Sequence, residues 1–426
     1  MIRFYNGRVL SFDDAGAVRV TSDEVWVDGS VIRFVGQPSA REALPAFERS
    51  IDLKGDLLIP GFKNAHTHTP MTFLRSFADD LPLDRWLSEL CWPNEAKLTD
   101  EAVRVFTYLG IMEYVSGGTT ACFDMYSHSE AYASACRDAG FRTVLCSAMN
   151  DFDKDHTVIE RDYLRYNNFG DLVSYILGIH AEYTTGMPRL RYMVDLAEKY
   201  QAPCFTHLCE TKKETEGCLE RYGLTPPQFL DRLGFFRYGG GGYHCVWFNE
   251  EDIRLFADKK LWVVTNPCSN LKLASGICPV TSYMDAGIPL AIGTDGAASN
   301  NALDMFREMY LVSTLQKVTR EDAAVCNADR VLEMACVGGA RCMGLTDCDN
   351  IAPGKKADLA VIDLQRPSMQ PLNNLSKNLV YAGSKDCVRL TMVNGKVLYE
   401  NGEFFLGESP AEIYRLAADF MNTIKG

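Results

Sequence analysis

The stretch Pro60-Gly61-Phe62-Lys63-Asn64-Ala65-His66-Thr67-His68 decides how this chain folds. It reads as the end of a strand that begins near residue 56, passes through Pro60 and Gly61, and stops in two histidines two residues apart. On an extended strand, residues i and i+2 point to the same face. His66 and His68 can therefore aim imidazole nitrogens at one point, the requirement for chelating a metal ion. Histidines also occur in strands for packing or hydrogen bonding, so the pair is decided by the rest of the chain.

Beyond this stretch, strand and helix patterns alternate. Strand candidates fall at 57–59, 120–124, 143–148, 175–180, 203–207, 243–246, 262–265 and 290–294. Helical patterns lie between them. In residues 189–199, for example, Leu190, Met193, Val194 and Ala197 form one apolar stripe. Eight strands alternating with helices predict an α/β fold, a (β/α)8 TIM barrel whose strand ends carry the chemistry along one rim. A doubly wound open sheet also alternates, but no Gly-x-Gly-x-x-Gly follows a strand here. The run Gly239 to Gly242 reads as an entry loop to a strand.

The two ends of the chain have a different texture. Glu24-Val25-Trp26-Val27, the turn Asp28-Gly29 and Val31 to Val35 form a hairpin signal, and residues 390–398 fold around Asn394-Gly395. The expected organisation is a composite β-sandwich from residues 1–57 and 346–408, the barrel over 58–345, and a C-terminal helix over 409–426. That helix carries Ile413, Leu416, Ala417 and Phe420 at helical spacing.

Composition narrows the class. In 426 residues the hydrophobic share is 47%, ample for a large core, and no apolar run has the length of a membrane span. The N-terminus lacks a basic region followed by an apolar core, so no signal peptide is expected. A net charge of -13 without a basic tract argues against nucleic acid and anionic membranes as partners and leaves a small-molecule substrate, with a homo-oligomer left open. Fifteen scattered cysteines without a Cys-x-x-Cys read as small buried hydrophobes in a reducing cytoplasm.

With the barrel drawn, polar residues line up where strands stop. His66 and His68 end the first strand, His180 the fourth, His207 the fifth, His244 the sixth and Asp295 the eighth. Five of the chain's seven histidines fall on this rim, too many to be incidental. The other two have plainer readings, His128 as a neighbour of the helix start Ser127-x-x-Glu130 and His156 in an exposed loop. Three histidines and an aspartate around a divalent ion leave room for a water, the open form of a catalytic zinc site. Such an ion brings the water's pKa near neutrality. Asp295 can serve as ligand and as acceptor of the water's proton. Glu210, three residues past His207, would overhang the same mouth as a general acid. It also reads as a first-turn glutamate of the helix that follows, favourable to the helix dipole.

The runs containing His66 and His68, Thr206-His207-Leu208-Cys209-Glu210-Thr211, Asn266 to Ala274, and Gly293-Thr294-Asp295 to Asn301 resemble the amidohydrolase superfamily. Within it they are most similar to deaminases acting on S-adenosylhomocysteine and 5′-methylthioadenosine. The resemblance covers nearly the whole chain. It implies a single Zn2+ per chain, with Fe2+ or Mn2+ as alternatives, on His66, His68, His207 and Asp295. It implies that His244 positions the attacking water and the developing oxyanion, and that Glu210 protonates the ring nitrogen beside the attacked carbon. Glu95, in Trp92-Pro93-Asn94-Glu95, and His180, in Gly178-Ile179-His180-Ala181, resemble residues that hold ribose hydroxyls and the purine. Two departures stand out. Glu182 replaces the family's usual proline, an extra carboxylate expected near the mouth. The family's arginine after the third strand is unmatched, with Arg161 and Arg165 as nearby candidates. The His-x-Glu and Pro-Cys-x-x-Cys signature of cytidine-type deaminases is absent, since Pro267-Cys268 continues as Ser269-Asn270.

The expectation is thus hydrolytic deamination of an adenine nucleoside to the inosine-type product and ammonia. The competing reading puts the same machinery on another N-heterocycle, as a deaminase or chlorohydrolase of a guanine, pterin or triazine. A non-catalytic barrel would be expected to have lost ligands, and here all of them remain.

Overall fold

The computed structural model describes residues 1–39, 44–77, 79–167 and 169–425. Its centre is a barrel of eight parallel strands: β1 (Phe62–Thr67), β2 (Thr119–Met125), β3 (Arg142–Cys146), β4 (Val173–Ala181), β5 (Cys204–Leu208), β6 (Gly240–His244), β7 (Trp262–Thr265) and β8 (Leu290–Ile292). They pair in sequence order. The ends of the sheet meet where Asp295 N–H donates to the His66 carbonyl at 2.9 Å and Asn64 Nδ2 donates to Thr294 Oγ1 at 2.7 Å. Ala65, Phe123, Phe205, Tyr243, Val264 and Ala291 fill the interior. Each fully buried aromatic there contributes about 2–3 kcal/mol.

The first barrel strand differs from the sequence reading. Residues 57–59 were expected to begin it, but Leu57–Pro60 runs parallel to Arg8–Phe12 and antiparallel to Leu359–Ile362 in an outer sheet. Every residue from 56 to 67 is buried, with no exposed turn to mark the break, so the switch between sheets is invisible to hydrophobic periodicity. Gly61 is the pivot. A Cβ there would sit 2.1 Å from Thr120 Cγ2, so only glycine lets the chain cross from one sheet into the other.

That outer sheet has seven strands, drawn from both ends of the chain, and it faces a second sheet of four strands built from residues 2–52. Phe4, Val25, Val27, Ile32, Leu58, Leu359, Val361, Leu390 and Met392 pack between them. The sandwich predicted from both termini is present, although its smaller sheet is N-terminal throughout. The closing helix Pro410–Lys425 lays Ile413, Leu416, Ala417 and Phe420 against Asp100–Ser116, with Phe420 edge-on to Phe106 at 5.5 Å. All fifteen cysteines are buried and unpaired.

Barrel and sandwich are tied by one buried ion pair. Arg142 at the start of β3 donates from Nε to Asp358 Oδ2 at 2.7 Å and from Nη2 to Oδ1 at 3.1 Å, while Asn394 N–H donates to the same carboxylate at 2.7 Å. Both side chains are almost wholly buried. Removing one partner strands the other charge in a dry interior. Arg142→Ala is therefore expected to lower unfolding free energy by about 3–5 kcal/mol, read from denaturant melts, with metal content per folded chain unchanged.

Candidate active site

At the C-terminal rim of the barrel, His66, His68, His207 and Asp295 bring one ligand atom each to within 4.8 Å of one another. Asp295 Oδ1 lies 3.5 Å from His66 Nε2 and 3.2 Å from His68 Nε2, and His207 Nε2 lies 3.3 Å from His68 Nε2. The opposite ring nitrogens are fixed. His68 Nδ1 donates to the Met125 carbonyl at 2.6 Å and His207 Nδ1 to the His180 carbonyl at 2.7 Å. Such outer partners set the tautomer and leave Nε2 free for a metal. Asp295 is clamped as well, its Oδ2 accepting from Ser269 Oγ at 2.6 Å and from Ser299 Oγ at 2.8 Å.

The donor set fits a divalent cation. His66 is completely buried, stacks on Tyr243 at 3.8 Å, and neither of its ring nitrogens has a hydrogen-bond partner. An orphaned buried imidazole is costly unless something coordinates it. Burial pushes His66 down to about 3 against the pull of Asp295, and burial with the neighbouring histidines pushes His207 well below its usual range. Both rings thus offer lone pairs. At Asp295 burial acts upward, but the adjacent imidazoles of His66 and His68 outweigh it, holding the carboxyl well below the carboxylate range. At His68 burial acts downward, yet Asp295, the Met125 carbonyl and Asp124 raise it to about 9.

Backbone strain collects at the same rim. Asp295 has φ 60°, His244 φ 69°, Cys245 φ 48° and Cys209 φ 49°. The left-handed region costs roughly 1–2 kcal/mol for a residue with a Cβ. At Asp295 the conformation is over-determined, because its carbonyl accepts from Thr67 Oγ1 and Thr294 Oγ1 while its N–H bonds the His66 carbonyl.

The remaining predicted residues gather around a cavity of about 420 Å3, within the range of a small-ligand site. Glu95, His180, Glu210 and His244 line it together with His68, His207 and Asp295. His244 Nδ1 donates to Asn270 Oδ1 at 2.7 Å, and its Nε2 lies 3.9 Å from Glu210 Oε2. Glu210 accepts from Ser275 Oγ at 3.2 Å, and burial, against the opposing pull of His244, raises its pKa. Burial also raises Glu95. His180 is pushed down to about 4 by burial and then by the charge of His68.

The alternative role of Glu210 belongs to another residue. The helix Lys212–Tyr222 is capped by Thr211, and Glu214 in its first turn accepts the N–H groups of Cys209 and Glu210 at 2.8 Å each. Glu210 sits before the cap with its side chain on the cavity wall. Glu182 departs from expectation. Ala181 begins a register shift and residues 182–184 turn into a short 3-10 helix, so the carboxylate is buried against Arg221 at 2.6 Å and away from the cavity. Arg161 and Arg165 lie on Val158–Tyr166, paired with Asp162 and Glu130, and neither lines the cavity. His128 donates to Asp100 at the cavity edge and His156 packs edge-on to Tyr192. Sequence reasoning missed the residues that hold the site in place: Ser269 and Ser299 on Asp295, Asn270 on His244 and Ser275 on Glu210. For Ser269, Asn270 and Ser275 the signal was the polar run 266–275 after β7; Ser299 lies in the run after Asp295.

The chain matches the amidohydrolase family model over residues 57–398. It is 41% identical to a 5-methylthioadenosine/S-adenosylhomocysteine deaminase of Thermococcus onnurineus, covering 83% of this chain and 85% of that one. A 5′-deoxyadenosine deaminase of Methanothermobacter thermautotrophicus is 39% identical, covering 83% and 84%. Among solved structures, an adenosine deaminase of Xanthomonas campestris with bound zinc superposes with a TM-score of 0.92 at 32% identity, covering 99% of both chains. The barrel, the clustered ligands and these likenesses agree: the chain belongs to the amidohydrolase family, as a metal-dependent enzyme.

Proposed function

We propose that this protein is a zinc-dependent deaminase of adenine nucleosides, converting adenosine, 5′-methylthioadenosine or S-adenosylhomocysteine to the inosine-type product and ammonia. One observation carries the reading. The acid-base pair Glu210 and His244 shares a single cavity with three of the four ligands and with Glu95 and His180. The relatives named above act on substrates of this class.

His66, His68, His207 and Asp295 would hold the metal, which would supply Lewis-acid activation of a water, bringing its pKa toward neutrality. Asp295, ionised and held by two serines, accepts the proton of the attacking water. Attack at the amino-bearing carbon drives electrons onto the neighbouring ring nitrogen, where Glu210 delivers a proton. Burial favours its protonated form, the form that a proton donor needs. His244 is fixed through Asn270, so its Nε2 faces the oxygen side of the developing adduct. The carbon–nitrogen bond then breaks: ammonia leaves with the proton first taken by Asp295, the adduct's hydroxyl becomes the product carbonyl, and the proton it releases restores Glu210.

At the other end of the cavity, Glu95 accepts ribose hydroxyls. Around it Leu83, Trp86, Leu87, Trp92 and Phe152 supply apolar surface, and no lysine or arginine is among the described lining residues. A neutral 5′ group suits this wall, to which Asp153 adds an acidic side chain.

The test is ammonia release across adenine nucleosides, free adenine, guanine, a pterin and a triazine. Adenosine is expected to exceed 2′,3′-dideoxyadenosine about 10- to 100-fold in kcat/KM, since a carboxylate left without its hydroxyl partners loses charged hydrogen bonds. Glu95→Ala is expected to erase that preference. Equal rates on adenosine and adenine, or turnover confined to guanine or a triazine, would overturn the nucleoside reading and leave the hydrolase intact.

A further inference from the structure

The helix Met305–Arg320 follows β8 and the segment that carries Asp295, and it is capped by Asp304. Its first turns carry Glu308, whose side chain is wholly buried. Glu308 Oε2 accepts the Cys268 N–H at 3.0 Å, and Oε1 accepts from Asn300 Nδ2 at 2.6 Å. Asn300 spends its other amide hydrogen on the Thr294 carbonyl at 2.7 Å. Each of these contacts stops one residue short of the site. Cys268 precedes Ser269, Asn300 follows Ser299, and Thr294 precedes Asp295. Ser269 and Ser299 are the two hydroxyls that donate to Asp295 Oδ2, at 2.6 and 2.8 Å. A buried carboxylate met only by neutral donors is costly, and an apolar side chain would fill the same space without that cost.

We propose that Glu308 is a positioning residue for Asp295: it grips the segment after β7 and the segment after β8 together, and so places the two serines that aim the Asp295 carboxylate. This inference rests on the reading of Asp295 as metal ligand and acceptor of the water's proton. The physical need is specific. The terminal torsion of an aspartate is soft, so its carboxylate takes the plane that its partners impose. Here Oδ1 faces His66 and His68 Nε2 at 3.5 and 3.2 Å and accepts the Gly296 N–H at 2.8 Å, while Oδ2 is taken by the serines. Those serines stand on two separate short helices, Pro267–Lys272 and Ala297–Asn300. Helices of that length do not hold their own place. Glu308, on a 16-residue helix, is the fixed point on which both lean.

The experiment uses the zinc-loaded enzyme and Glu308→Gln. Glutamine keeps the shape but sets an NH2 group against one of two donors, so one of the two segments loses its hydrogen bond. With adenosine, kcat is expected to fall about 10-fold while KM stays within about 2-fold. The rate at which excess chelator strips zinc from the folded protein is expected to rise about 10-fold. This second readout needs no substrate, so it stands whichever heterocycle the enzyme takes. Both effects must pass through the serines. In a Ser269→Ala/Ser299→Ala background, Glu308→Gln is expected to add under about 2-fold to either rate, whereas its cost in denaturant stability should be the same in both backgrounds. Asn300→Ala, which cuts the link to Glu308 and Thr294, should reproduce both changes and replaces Glu308→Gln if that variant does not fold. Full additivity in the serine background, or parental kcat and zinc release in the folded variant, would overturn the proposal. Asp295→Asn with parental zinc content and turnover overturns the reading of Asp295 together with this one. Loss of both in Asp295→Asn, with the Glu308→Gln effects undiminished when the serines are absent, overturns this inference alone.

Discussion

Replacing His66 by alanine is expected to take the bound metal from about one ion per chain to near zero and activity down on the order of 10³-fold or more. The size of the effect follows from the geometry. His66 is wholly buried, and its two ring nitrogens have no protein partner. Unlike His68 and His207, whose Nδ1 atoms are anchored on carbonyls, it has no role in the hydrogen-bond network that another residue could inherit. A cation on the site would lose one of three nitrogen donors, and the cavity left behind lies under Tyr243, where solvent cannot substitute well. Metal analysis of purified protein, with His156→Ala as a control remote from the ligand cluster, reads the outcome. Full occupancy in the His66 variant would remove this residue from the ligand set.

How far the sequence carried can be seen residue by residue. The rim histidines were legible because each closes an apolar strand, and period-two alternation plus strand counting is enough to bring five strand ends to one face. The partner Asp295 was legible for the same reason. What could not be read was the path between sheets at Pro60-Gly61. Leu57–Pro60 and Phe62–Thr67 are equally buried, and the decision to leave one sheet for the other rests on the 2.1 Å clearance at Thr120. Glu182 misled for a related reason. Two residues past His180 it should share that face, but the chain turns at once into residues 182–184, and Arg221 from a helix forty residues on captures the carboxylate. Tertiary partners of this kind have no local signal. The serines and asparagine behind Asp295 and His244 were visible as letters without roles, because an outer partner is defined by the residue it orients.

Glu210→Gln is the second large effect, an expected loss of about 10²–10⁴ in kcat with metal content unchanged. Glu210 is no part of the ligand cluster, and its environment is arranged to hold a proton. Burial raises its pKa, with Asp295 nearby acting in the same direction and His244 opposing. The sign of the pH dependence follows. A group that must donate is active while protonated, so the raised pKa extends the active range upward, and kcat should fall as pH rises through it. Glutamine keeps the shape and can still accept from Ser275, which makes a folding defect a poor explanation of lost turnover. It cannot donate a proton, so the residual rate should lack that alkaline decline. Glu214 supplies the internal control. It is also buried, pushed up to about 8 chiefly by burial, and it holds the N–H groups of Cys209 and Glu210. Glu214→Gln should therefore act on the placement of Glu210 while leaving the alkaline decline in the pH profile. Near-parental turnover in Glu210→Gln, with metal retained, would return this carboxylate to the helix start and assign the proton to another group.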